Sequence, residues 1–200
     1  MCSSKLTLCL AVVTILALAT MTGPSLAGAA DADDVGALPS APKPPPEDIF
    51  NNNFEPAAPA PPNDVCQTAD SILIGNPVTG TTVGAVSNYD SGLETCTGYA
   101  QAGGDVAYKI TLASAKAITV KLTAAGATFD PSISLLGPGT AAGVCDPQPL
   151  TCLAGADAAG FGADESFQFT TVGAGTYYII VDTFYSPPGG GAFTLTVTSP

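Results

Sequence analysis

The chain has 200 residues, with 17 acidic side chains against five lysines, a formal charge of −12, and no arginine, histidine or tryptophan. Such a polyanion is a poor partner for nucleic acid. Without histidine, a Ser-His-Asp or Cys-His nucleophile also has no base titrating near neutrality.

The N-terminus reads as an export signal. Lys5 precedes an apolar run from Leu6 to Ala19, followed by Gly23, Pro24 and the small-residue pattern Ser25-Leu26-Ala27. The run is shorter than the roughly 18 to 20 residues that span a bilayer. Residues 1–27 are therefore predicted to be a signal peptide cleaved after Ala27. No membrane insertion is expected afterwards, and the destination is secreted, cell-surface or periplasmic. Residues 28–62 turn to alanine, proline and acid, with nine prolines and six carboxylates. Such a segment has too little apolar surface to pack, so a disordered, extended tether is predicted. Ile49-Phe50 and Phe54 interrupt it as a small apolar spot.

From Asn63 onward the apolar pattern has a period of two, the mark of half-buried strands. Val106, Tyr108, Ile110 and Leu112 share one face, as do Ile118, Val120 and Leu122, then Phe167 and Phe169. Tyr177, Ile179 and Val181 follow, and Phe193, Leu195 and Val197 close the series. With Ser71 to Ile74, Val78 to Val86 and Ser132 to Leu136, about eight strands are predicted. Gly75-Asn76-Pro77, Gly103-Gly104, Gly137-Pro138-Gly139, Gly173 to Gly175 and Pro187 to Gly191 punctuate them as turns. Residues 63–200 thus read as one all-β domain, a sandwich or jelly roll of antiparallel strands with one wet face per sheet. A closed barrel is the alternative.

Removal of the signal takes Cys2 and Cys9 with it and leaves Cys66, Cys96, Cys145 and Cys152, an even number in an exported chain, so two disulfides are expected. Four cysteines allow three connectivities. Cys66 with Cys96 and Cys145 with Cys152 is preferred, because each bond would then pin a loop beside its own strands. A zinc site would need four thiolates, and no Cys-x-x-Cys pair is present.

Catalytic chemistry finds little support. Lys109, Lys116 and Lys121 fall at outward positions of predicted strands, and Asp164 and Glu165 are adjacent, which sends them to opposite faces of a strand rather than across a cleft from one another. The chain is read as a non-enzyme. Large aromatic side chains in predicted loops or at strand ends, Tyr89, Tyr99, Phe161, Phe184 and Tyr185, are the natural contacts for a protein or sugar ligand, and Tyr99 and Tyr185 are nominated.

An ordered series of short motifs narrows the reading further. Pro62-Asn63-Asp64-Val65-Cys66-Gln67-Thr68-Ala69 is followed by Gly80-Thr81-Thr82, then by Gly104-Asp105-Val106-Ala107-Tyr108-Lys109-Ile110. Phe129-Asp130-Pro131-Ser132-Ile133, Gly175 to Asp182 and Gly191 to Val197 complete it. Across residues 63–200 the chain resembles the bacterial pre-peptidase C-terminal domain. The resemblance implies a jelly-roll sandwich of the kind appended to secreted peptidases and related in fold to collagen-binding domains. It also implies calcium, held by Asn63, Asp64 and Asp105 with Asp90 as a fourth group, oxygen ligands of the kind calcium takes. The Glu-x-Glu usual before Asn-Asp is replaced here by Ala60-Pro61-Pro62.

The expected function is a secreted, non-catalytic binding or accessory domain. Its partner would be an extracellular protein or polysaccharide, or a secreted peptidase. A structural surface or envelope component is the alternative.

Overall fold

The alternating runs become strands because each buries one face and leaves the other to water or to a second layer. In the computed structural model, which describes residues 57–90, 92–171, 173–185 and 189–200 of the unit Asn53–Pro200, nine strands form two sheets. They are β1 Asp70–Ser71, β2 Val78–Thr81, β3 Val106–Leu112, β4 Ala117–Ala124, β5 Pro131–Leu136, β6 Cys152–Ala156, β7 Glu165–Thr170, β8 Gly175–Thr183 and β9 Ala192–Thr198. The predicted signal peptide, 1–27, and the predicted tether as far as residue 56 lie outside the described residues.

One sheet runs β1-β3-β8-β5-β6 and the other β2-β9-β4-β7. Leaving aside the two-residue β1, which pairs parallel with β3, the remaining eight strands interleave the two sheets as a jelly roll does. No barrel closes. The shared core lies between the sheets, where Val106, Tyr108, Ile110, Ile118, Val120, Leu122, Ile133, Leu135, Tyr177, Ile179, Val181, Phe193, Leu195 and Val197 meet. These are the residues whose alternation marked the strands.

The expectation of one wet face per sheet holds for β4, β7 and β9, where exposed or part-exposed residues alternate with buried ones. It fails for the five-stranded sheet. β5 is buried along its whole length, and β8 from Tyr177 to Thr183. A second apolar layer covers this sheet's outer face, built from Cys66, Ala69, Tyr89, Leu93, Leu136, Cys145, Leu150, Tyr178 and Ile180. That layer is carried by a 3-10 turn at Cys66–Thr68 and two one-turn helices, α1 Glu94–Thr97 and α2 Ala141–Val144.

The disulfides belong to the covering layer, and the expected pairing is corrected. Cys66 bonds Cys145 and Cys96 bonds Cys152. The preference for sequence neighbours fails because the layer brings distant segments together. Cys66 and Cys145 both line the second apolar layer, and Cys96 on α1 sits over β6 beside Gly155. β6 itself was not predicted, since Leu153-Ala154-Gly155-Ala156 has no period-two contrast.

Candidate functional site

Antiparallel pairing gathers the starts of β3 and β5 and the ends of β6 and β8 at one end of the five-stranded sheet. Val106 faces Val181, so one residue further along the ladder Asp105 stands opposite Asp182. Asp182 pairs in turn with Ser132 on β5. Because Ile133 faces Ala156, the same continuation sets Ser132 opposite Asp157. Three carboxyls and a hydroxyl thus form one row across four strands, on the face turned away from the main core. Asp105 is 0%, Asp182 1% and Ser132 1% exposed.

The row is short of partners. Asp105 Oδ2 accepts the backbone N–H groups of Asn88 and Tyr89 at 2.6 and 2.9 Å, but Asp105 Oδ1 has none. Asp182 Oδ1 accepts Thr183 N–H at 2.6 Å, whereas Asp182 Oδ2 and Ser132 Oγ are unpaired. Burial, reinforced by the charges of Asp90 and Asp64, lifts the Asp105 pKa from 3.8 to about 7. Asp182 is pushed well above the usual carboxylate range by burial and by Asp105, Asp90 and Asp157. Like charges facing one another across strands repel, so the row needs protons or a cation.

Asp90 reaches the same place from the loop before α1. Asp90, Asp105 and Asp182 each offer an oxygen, and these atoms lie within 4.8 Å of one another. Three convergent carboxylates, two with orphaned buried oxygens, fit a hard divalent cation such as calcium. Of the expected ligands, Asp105 and Asp90 therefore come together.

Asn63 and Asp64 are not part of the trio. Asn63 behaves as a strand partner, its Nδ2 donating to the Ala107 carbonyl at 3.1 Å and its own carbonyl accepting Ala107 N–H at 2.8 Å. Asp64 Oδ1 accepts Val86 N–H at 2.8 Å and so shapes the loop that carries Asp90. The missed member is Asp182. Its signal was an acid closing the apolar run Tyr177 to Val181, on the face opposite the main-core residues.

The two aromatic nominees, Tyr99 and Tyr185, lie beside the row together with Phe161. Tyr99 is 57%, Phe161 56% and Tyr185 47% exposed. Three separate loops supply them, yet they form one group. Phe161 stacks on Tyr185 with centroids 5.1 Å apart and planes 7° from parallel. Phe184 meets Tyr185 edge-on at 4.7 Å and Tyr99 edge-on at 6.1 Å.

Tyr99, Phe184 and Tyr185 line a cleft of about 260 Å³ together with Asp130, Asp157 and the Ala158 to Gly160 turn. On its other side Tyr185 borders a groove of about 420 Å³ lined by Thr82 to Ala85, Gly103, Gly104, Gly189 and Gly190. Gln101 ties the cleft to the row by donating to Asp157 Oδ2 at 2.9 Å and to the Tyr99 carbonyl at 2.7 Å. Tyr89, by contrast, is buried and anchors a loop, its hydroxyl accepting Cys66 N–H at 2.7 Å.

No family model matches the chain, and no curated protein matches its sequence. Solved structures of similar fold include a periplasmic inhibitor of g-type lysozyme from Aeromonas hydrophila, 13% identical over 66% of this chain and 96% of that one, TM-score 0.42. A surface-associated copper-binding protein of Methylomicrobium album BG8 is 15% identical over 66% of this chain and 98% of that one, TM-score 0.46. The chain is also similar to the pre-peptidase C-terminal domain of a collagenase from Bacillus anthracis, 17% identical over 65% of this chain and 94% of that one, TM-score 0.42, the same domain that its motifs resemble.

Proposed function

We propose that the protein is an exported, non-catalytic binding domain that holds an extracellular protein or polysaccharide against the aromatic surface around Tyr99 and Tyr185. The supporting observation is that aromatic rings from three loops meet in one group at the strand ends, Phe161 stacked on Tyr185 and Tyr99 joined edge-on through Phe184, next to two clefts that share Tyr185 as a wall. Scattered exposed apolar residues need no explanation, but a contiguous aromatic group at a cleft is the usual form of a contact site. Two disulfides suit an oxidising compartment.

In this reading a divalent cation, calcium by the chemistry of its ligands, is held by Asp90, Asp105 and Asp182. It supplies fixed positive charge that locks the Val86 to Asp90 loop to the strand ends carrying the surface. The domain acts free-standing or beside a secreted peptidase.

The test is capture on insoluble extracellular polymers, collagen and polysaccharide among them, with wild type and the Tyr99→Ala and Tyr185→Ala variants. Capture by wild type that falls about tenfold in either variant supports the reading. Equal capture by all three places the contact surface elsewhere, and no capture on any polymer favours a structural surface component.

A further inference from the structure

If the cleft beside Tyr185 is the contact surface, as proposed above, its own chemistry indicates what it takes. Asp130 and Asp157 line it and are each only 8% exposed. Asp130 Oδ1 has no partner, and neither carboxylate oxygen of Asp130 accepts a hydrogen bond from a described residue. The charges acting on Asp157 are negative, those of Asp130 and Glu165. Among the described lysines, Lys121 is paired with Asp164 at 2.8 Å, and neither Lys109 nor Lys116 acts on these two carboxyls. The chain has no arginine. Among the described residues, then, two desolvated acids beside aromatic walls have no cationic partner.

We propose that the cleft takes the guanidinium of an arginine side chain presented by a basic protein partner. A guanidinium is planar, so it stacks on tyrosine or phenylalanine while its N–H groups fork onto carboxylate oxygens. It is also more weakly hydrated than an ammonium, which eases its entry into a cleft of buried acids. A neutral sugar would stack equally well, but it would leave two buried charges without a counter-charge. The chain's charge of −12 draws a basic partner in and makes the encounter salt-dependent.

The experiment titrates N-acetyl-arginine methylamide, its neutral citrulline counterpart and cellopentaose into the disulfide-bonded, nitrogen-15-labelled protein and follows backbone amide shifts. The arginine probe is expected to move Tyr99, Asp130, Asp157 and Tyr185, with the citrulline probe at least about tenfold weaker. Tyr185→Ala, at an exposed position, and Asp157→Asn, which keeps an acceptor for Gln101, should each weaken arginine binding about tenfold in proteins whose remaining spectrum is unchanged. Citrulline binding as tight as arginine, arginine shifts elsewhere, or variants that bind like wild type would overturn the proposal. Cellopentaose moving the same amides in place of arginine would overturn the guanidinium and leave the contact surface standing. Silence from all three probes, with polymer capture unimpaired in Tyr185→Ala, would sink both.

Discussion

Asp105 and Asp182 face one another in a sheet position where neither reaches water. In the cation-free protein the consequence is a stability that depends on pH in an unusual direction. A carboxyl whose folded pKa is raised contributes stability that is complete below its unfolded value, here 3.8, and lost as pH climbs through its folded value, here about 7 for Asp105. Each unit of such a shift is worth about 1.4 kcal/mol. In EDTA the Tm is therefore expected to fall by roughly 5 °C or more between about pH 4 and pH 7, a span set by those two values. Asp105→Asn, which still offers an oxygen to Asn88 and Tyr89, should flatten that fall. Millimolar calcium should remove it, because the ion binds the deprotonated trio, and Asp182→Asn should abolish the calcium effect while Asn63→Ala should not. A Tm indifferent to calcium up to about 10 mM would show that protons alone settle the row.

The covering layer on the five-stranded sheet is the element that the sequence concealed. Strands such as β3, β4, β7 and β9 were legible because they alternate apolar with polar or small residues, β8 because its apolar run is bounded by turns, and the sandwich followed from that pattern. The outer layer has no period. It consists of single apolar residues, Leu93, Leu150 and Tyr89, spread over irregular loops that acquire a common face only once the chain is folded. The same long-range pairing that hid this layer placed Asp182 beside Asp105 and joined Cys66 to Cys145. Asp105 was nameable because it stands in a short local motif, Gly104 to Ile110, and Asp90 because the resemblance implied a fourth oxygen ligand.

Non-reducing peptide mapping is expected to recover the Cys66–Cys145 and Cys96–Cys152 peptides. Loop closure over separations of 79 and 56 residues gives each bond about 4 kcal/mol. Gly92 shows how closely the layer is seated. Its φ is +101°, and an added Cβ would fall 2.3 Å from the Leu150 carbonyl oxygen. Gly98 has a similar φ of +86° but open space around it. Gly98→Ala should cost only the left-handed backbone strain, about 1 kcal/mol, and Gly92→Ala clearly more, read as two unequal losses of Tm.

Over the whole molecule, chain direction and site are linked at the N-terminal side. The carbonyls of Ala58 and Pro59 lie 2.6 and 2.7 Å from where a Gly84 Cβ would be, and Gly84 lines the groove bordered by Tyr185. The predicted tether therefore reaches the domain earlier than its composition indicated, with residues 57–62 free of strand or helix yet partly seated against the groove's rim. Limited proteolysis is expected to leave a core that retains Ala58 and Pro59 rather than one trimmed to Asn63, as N-terminal sequencing of the resistant fragment will show.

β9 leaves in the opposite direction. It starts at Ala192 on the groove side and runs between β2 and β4 until Thr198 to Pro200 reach Ala117 to Thr119 and Gln168 to Thr170. Tension drawn between these two ends would pull β9 lengthwise, loading its ladders to β2 and β4 in shear, many hydrogen bonds together, instead of unzipping them one by one.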